Sequence, residues 1–232
     1  MRRVLLAFLA VLVLAACTTR AHQITTTLNR DAGKQPTIVL MPLDVELSIL
    51  SAAGMPEVRA DWTSAANSLL LDAIRAQKDS LNIRMAVFED GKADAEKQDL
   101  AHQLIKLHGA VGNSILIHQY NPQFSLPSKG SQFDWSLGPS AKVLKETYDA
   151  DYALFVWMRD SYAGPGRVAL MVVGAAFGIG IPGGAQVGFA SLVDLSSGNV
   201  AWFNLLARGY GDLRSPEGAT NVATTLMAQM PK

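Results

Sequence analysis

From residue 168 to residue 193 the chain runs 26 residues without a charge, VALMVVGAAFGIGIPGGAQVGFASLV, and this stretch contains six glycines and one proline. Few structures suit it. Crossing a bilayer as a helix takes about 20 consecutive apolar residues, and only 14 precede Pro182. Gly180, Gly184 and Gly188 repeat every four residues, as in closely packed helix pairs. Pro182 and the β-forming residues after Gly188 nevertheless exclude a single helix through them. Residues 178–183, GIGIPG, spell the dinucleotide fingerprint G-x-G-x-x-G. That chemistry needs a strand before the loop and a helix N-terminus after it, so that free amides and the helix dipole meet the pyrophosphate. Here a strand follows. The pattern predicts a short apolar helix or hairpin arm over residues 167–177, a glycine turn over 179–185, and then the strand. Three destinations are open to the arm: the core, a neighbouring subunit, or lipid. Arg167, Val172 and Phe177 are its candidate contact residues.

The other long apolar run sets the compartment. Arg2 and Arg3 precede VLLAFLAVLVL over residues 4–14, followed by Ala15, Ala16 and Cys17. A charged start, a short apolar segment and small residues form a secretory signal, and the run is too short to serve as a membrane span. Leu14-Ala15-Ala16-Cys17 resembles the lipobox of bacterial lipoproteins, in which the cysteine is acylated and becomes the mature N-terminus. That resemblance implies a signal peptide over residues 1–16, lipidation at Cys17 and attachment to the membrane through acyl chains. Two or more chains are needed for stable attachment, since each buried methylene adds about 0.8 kcal/mol. Thr18 stands where an aspartate would resemble an inner-membrane retention signal, which points to the periplasmic face of the outer membrane.

Cys17 is the only cysteine, so neither a disulfide nor a thiol nucleophile is expected in the mature chain. After cleavage 18 basic side chains face 20 acidic ones. With no basic cluster, nucleic acid is not an expected partner. Residues 18–35, TTRAHQITTTLNRDAGKQ, are polar and lack an apolar period. They read as a flexible tether that would hold the domain on the order of 25 Å from the lipid, with a bound N-terminal arm as the alternative. Residues 36–232 then form a single domain, long enough to bury a core.

Within that domain PTIVLMPL reads as a buried strand ending near Pro42. Trp62, Ala66, Leu69, Leu70, Ala73 and Ile74 define a helix capped by Asp61 or Thr63. IRMAVF over residues 83–88 reads as a second strand. A helix from about Asp94 to His118 carries the stripe Leu100, Leu104, Leu107, Val111, Ile115 and His118. Residues 121–139 form a loop whose Phe124, Phe133 and Trp135 fold over the domain, and a short helix follows to Tyr148. YALFVWM over 152–158 is the strongest strand. A hairpin over 187–206 turns at Ser196-Ser197-Gly198-Asn199, and Ser215-Pro216-Glu217 opens a final helix. The order implies an α/β single sandwich domain with a mixed sheet, helices packed on it, and a C-terminal hairpin plus helix.

Three stretches, TIVLMPL, DADYALFVWM and SLVDLSSGNVAWF, resemble the periplasmic α/β domain of the curli-secretion lipoprotein, the amino-terminal domain of the Tol-Pal translocation protein and further envelope lipoproteins. The resemblance spans roughly residues 36–230. It implies this fold and a role at the envelope. No alternating segment matches the membrane hairpins of the curli channel, so the resemblance does not extend to a pore.

Catalytic motifs are missing: the chain has no G-x-S-x-G elbow, H-E-x-x-H helix or P-loop. His102 and His108 lie six apart, which does not place them on one helical face. His118 reads as a core-edge histidine and His22 falls in the tether. Asp149 and Asp151 suit backbone hydrogen bonding at a helix-to-strand junction. Arg159 and Asp160, directly after the strongest strand, could line a polar contact site or form an ion pair. No metal or cofactor is expected. Two classes follow: a noncatalytic lipid-anchored envelope protein with a protein partner or homo-oligomeric contacts, or a periplasmic hydrolase or ligand-binding lipoprotein.

Overall fold

The computed structural model of the chain describes residues 19–24, 35–130 and 132–231. Cys17 and residues 1–16, the expected signal segment, lie outside them. In order, the chain forms β1 (Thr19–Ile24), β2 (Thr37–Leu40), β3 (Asp44–Leu50), β4 (Pro56–Val58), α1 (Ala60–Arg75), α2 (Lys78–Leu81), β5 (Arg84–Val87) and α3 (Ala95–His118). It continues with α4 (Lys142–Tyr148), β6 (Tyr152–Ala163), α5 (Pro165–Ala176), β7 (Gln186–Asp194), β8 (Val200–Arg208) and α6 (Pro216–Leu226). The strands make one mixed sheet in the order β1-β8-β7-β6-β2-β5, with β3 on β6 beyond β2 and β4 on β3. This is an α/β sandwich with a mixed sheet, packed helices and a closing hairpin plus helix.

β6 is the organising strand. One edge pairs antiparallel with β7 from Tyr152 to Asp160, and the other pairs parallel with β2 and then with β3. The sequence expectation that pairing stops near Pro42 holds only locally. Leu40 lies opposite Leu154 and Asp44 opposite Trp157, so Met41, Pro42 and Leu43 face two residues of β6. This is a one-residue bulge, placed where proline has no amide to give. It shifts the alternation by one: Ile38 and Leu40 enter one core before it, and Leu43, Val45 and Leu47 enter the same core after it.

The sheet buries both faces. On one, α1 and α6 cover Leu154, Val156, Met158, Leu192 and Trp202; on the other, α3 and α4 cover Phe155, Phe189 and Phe203. α1 buries Ala66, Leu70 and Ile74 as its spacing predicts, but neither expected cap is used. Asp61 instead pairs with Arg59 at 2.9 Å, and the Thr63 hydroxyl accepts from the Leu47 amide at 2.9 Å, tying α1 to β3. α3 is unbroken and capped by Asp94, whose carboxylate accepts from the Lys97 amide at 3.0 Å. Its buried stripe is Ala101, Leu104, His108, Gly112 and Ile115, rotated from the leucine stripe read in the sequence; Leu107 is 41% exposed. The reason is Gly112: a Cβ there would fall 2.1 Å from the Phe189 ring, so this small face sets the helix's closest approach to the sheet.

Three further readings are settled. Trp135 and Phe133 do pack over the second core, whereas Phe124 is 57% exposed. Asp151 accepts the Thr37 amide at 2.9 Å, the backbone role expected of it. Thr19–Ile24, inside the segment read as a flexible tether, is a bound arm: it pairs antiparallel with β8 from Thr19↔Ala207 to Ile24↔Trp202. Residues 25–34 of that segment lie outside the described residues.

Candidate contact site at the exit of the sheet

β6 continues five residues past Met158, so Arg159 and Asp160 lie inside the strand. Successive strand residues point to opposite faces, and the two part company. Arg159 donates to the Asp44 carbonyl at 2.9 Å, pairs with the Asp44 carboxylate at 2.8 Å and lies over the Trp157 ring. Asp160 turns to the other face and is 2% exposed. They form no ion pair with each other.

Three donors converge on one oxygen of Asp160: the Tyr162 hydroxyl at 2.5 Å, the Gln186 side-chain amide at 2.6 Å and the Leu213 backbone amide at 3.2 Å. Burial raises the carboxyl's pKa, and these hydrogen bonds oppose it. Burial, then the bond to Asp160, pushes the Tyr162 phenol far above its ordinary range. Around them lies an open cleft of about 400 Å³, lined by Trp62, Tyr162, Gly184, Gln186, Tyr210 and Arg214. Arg214 is held by Asp212 at 2.8 Å and lies 3.8 Å over the Tyr162 ring centre and 4.8 Å over that of Trp62. The guanidinium keeps the Asp212 carboxyl below the usual carboxylate range.

The glycine-rich segment forms the cleft's rim because its backbone is pressed on β6. The Ser161 amide donates to the Ala185 carbonyl at 2.9 Å, and a Cβ at Gly184 would fall 2.0 Å from the Ser161 carbonyl oxygen. Gly178–Gly183 therefore follows helix α5 and precedes strand β7, the reverse of a dinucleotide-binding loop.

α5 stands out from this rim. Pro165 sits in its first turn, and a Schellman closure ends it: Ile179 donates to the Gly174 carbonyl at 2.8 Å and Gly178 to the Ala175 carbonyl at 3.1 Å, with Gly178 at φ 73°. Arg167 donates from Nε to the Pro182 carbonyl at 2.8 Å, fixing the arm's base to the glycine segment. Only Gly174 of the helix is buried. Six of the twelve large exposed apolar side chains among the described residues fall in residues 168–179: Val168, Leu170, Val172, Val173, Phe177 and Ile179. Val172 is 67% and Phe177 77% exposed, which excludes the core as the arm's destination.

The predicted contact residues are thus divided among three places. Arg159 lies on one sheet face, Asp160 under the cleft on the other, and Arg167, Val172 and Phe177 on the arm beside it. Sequence reasoning missed Trp62, Tyr162, Gln186 and Arg214 as neighbours of Asp160. The signal was the alternation Leu154, Val156, Met158, Asp160, Tyr162, which puts the carboxylate on an apolar face.

The histidines also separate. His108 is buried against Phe155, with Nε2 2.9 Å from the Ser191 hydroxyl, and burial lowers its pKa to about 3. His102 contacts exposed Asp90 at 2.8 Å, and His118 Nδ1 lies 2.7 Å from the Phe124 carbonyl oxygen, the core-edge role read for it.

No protein-family profile and no curated protein sequence matches the chain. Among solved structures it is similar to a PelC dodecamer from Paraburkholderia phytofirmans in space group P6, with TM-score 0.41 and 12% identity over 92% of this chain and 99% of that one. A point-substituted PelC dodecamer from the same organism, in space group C2, gives TM-score 0.38 and 16% identity over 91% and 94%. Likeness at these values establishes nothing about function.

Proposed function

We propose that this chain is a noncatalytic, lipid-anchored protein of the bacterial envelope that scaffolds or assists assembly or transport at the outer membrane. The observation that carries the proposal is the exposed apolar arm α5. A folded domain rarely leaves so concentrated an apolar surface in water, and such surfaces mark contacts. The resemblance of Leu14-Ala15-Ala16-Cys17 to a lipobox supports the anchor. The buried polar groups Asp160 and His108 are engaged in holding the fold together: one ties β6 to β7 and to Leu213, and the other joins α3 to β7.

Fractionation of cells expressing variants tests both parts. Cys17→Ser weakens membrane association, and Cys17→Ser combined with Val172→Asp and Phe177→Asp releases a folded protein to the soluble periplasm. If the triple variant stays on the membrane, the proposal fails. If Val172→Asp with Phe177→Asp unfolds the domain, the arm belongs to its core. The cleft beside Asp160 favours one second reading, a ligand-binding lipoprotein. A loss of cellular function in a folded Arg214→Ala variant that keeps its membrane attachment would support that reading over scaffolding.

A further inference from the structure

We infer that α5 lies on the lipid surface as a second attachment beside the acylated N-terminus, so that the domain sits directly on the membrane. The inference rests on the anchor reading above and adds the arm's occupant.

Strand register supplies the argument. β6 runs toward α5, β7 runs back, β8 runs toward α5 again, and β1 begins at that same end. Thr19 lies in one row with Ala207, Val187, Arg159 and Glu46. Four residues past Arg159, β6 ends at Ala163 and α5 begins at Pro165. Three strand spacings separate β1 from β6, about 14 Å in all. Cys17 is two residues before Thr19, and two extended residues reach about 7 Å at most. An acyl anchor at Cys17 therefore brings lipid to the end of the sheet from which α5 projects, and the domain is not held at the distance a free tether would allow.

The arm's own chemistry selects lipid. Residues 168–181 contain no polar side chain, whereas a protein contact of this kind carries a polar rim. No acidic residue occurs between Asp160 and Asp194, so anionic headgroups meet no repulsion from this segment. The helix is 12 residues, about 18 Å long. Among the described residues no helix is long and apolar enough to cross a membrane. Because the exposed side chains of this short helix are apolar, seating them in the acyl boundary, with Phe177 and Ile179 at its end, removes that surface from water.

The test uses the full lipidated protein. A cysteine introduced as Val172→Cys, Phe177→Cys or, at the opposite end of the sheet, Ser140→Cys is labelled with an environment-sensitive fluorophore, since acylation blocks Cys17. The protein is then bound to vesicles of phosphatidylethanolamine and phosphatidylglycerol bearing nitroxide acyl chains. Blue-shifted emission and nitroxide quenching at 172 and 177, with neither at 140, are expected. If intact mass shows an acylated Cys17 while the 172 and 177 labels report water, docking is refuted and the anchor stands. Labels shielded without lipid quenching would assign the arm to a second copy and also refute docking. An unacylated Cys17 would refute the anchor and the docking geometry together.

Discussion

Gly109 and Gly112 stand one turn apart on the same helix, and the structure requires alanine to act on them in opposite directions. In a helix interior alanine is favoured over glycine by about 1 kcal/mol. At Gly109 the added methyl meets nothing closer than 3.8 Å, from Asp44 and Trp157, which is ordinary contact, so the full gain is expected. At Gly112 the methyl would sit 2.1 and 2.3 Å from two carbons of the Phe189 ring, where about 3.5–4.0 Å is the relaxed distance. The ring cannot retreat freely, because it stacks on Trp157 at 5.0 Å and on Phe203 at 5.3 Å. Overpacking of this kind costs about 1–3 kcal/mol, and a ring held by two neighbours belongs at the upper end. Gly112→Ala should therefore lose about 2 kcal/mol net while Gly109→Ala gains about 1 kcal/mol. Urea denaturation of residues 17–232 carrying Cys17→Ser measures both from shifts in midpoint at constant slope. Adding Phe189→Leu should cost less in the Gly112→Ala background than alone, since the two sites share one space. Shifts of equal sign at the two glycines would refute this account of how α3 meets the sheet.

Other consequences can be checked on the same preparation. His108 is neutral in the fold with a pKa near 3, against 6.5 in an unfolded chain, so its contribution is whole above pH 6.5 and is lost as pH falls toward 3; His108→Gln should flatten that part of the stability-versus-pH curve. Asp160→Ala strands the Gln186 amide and deprives Tyr162 of its acceptor, an expected loss of about 2–4 kcal/mol in urea midpoint terms. Because burial raises the Asp160 carboxyl above its ordinary 3.8, its protonated form favours folding. Wild type should thus gain on Asp160→Asn as pH falls from neutrality toward 3.8, read from paired denaturation curves. Gly184→Ala forces a methyl onto the Ser161 carbonyl and should destabilise by about 1–3 kcal/mol, while Val172→Asp should move the midpoint by no more than about 0.5 kcal/mol.

How much of this was legible follows from what periodicity does and does not encode. The β7–β8 hairpin, the Ser215 cap, the 24-residue helix α3 and the apolar arm could be read because local signals decide them: a turn glycine, a capping side chain, a helical repeat. β3 escapes a reading of the sequence although Val45 and Leu47 alternate with Asp44 and Glu46; Pro42 signals an end, and only register against β6 shows that the chain resumes after one extra residue. The α3 stripe was misplaced because hydrophobicity favours leucine, whereas the closest approach of a helix to a sheet is set by its smallest residues. Asp160 was recognised as a candidate without its neighbours, since Tyr162 is local but Gln186 and Leu213 reach it from 26 and 53 residues away. β1 gave no signal at all, because an edge strand can be held by backbone pairing alone.

That edge strand bears on mechanics. A lipid at Cys17 would pull on Thr19 along the axis of β1, away from the end of the sheet. The hydrogen bonds to β8 lie across this direction, so the load falls on the ladder from Thr19 to Ile24 in shear, shared along its length. The partner strand β8 is buried over most of its length, joined through its turn to β7, which pairs in turn with β6. Tension from such an anchor would therefore enter the paired strands β8, β7 and β6, and a membrane that moves or bends would carry the whole sheet with it.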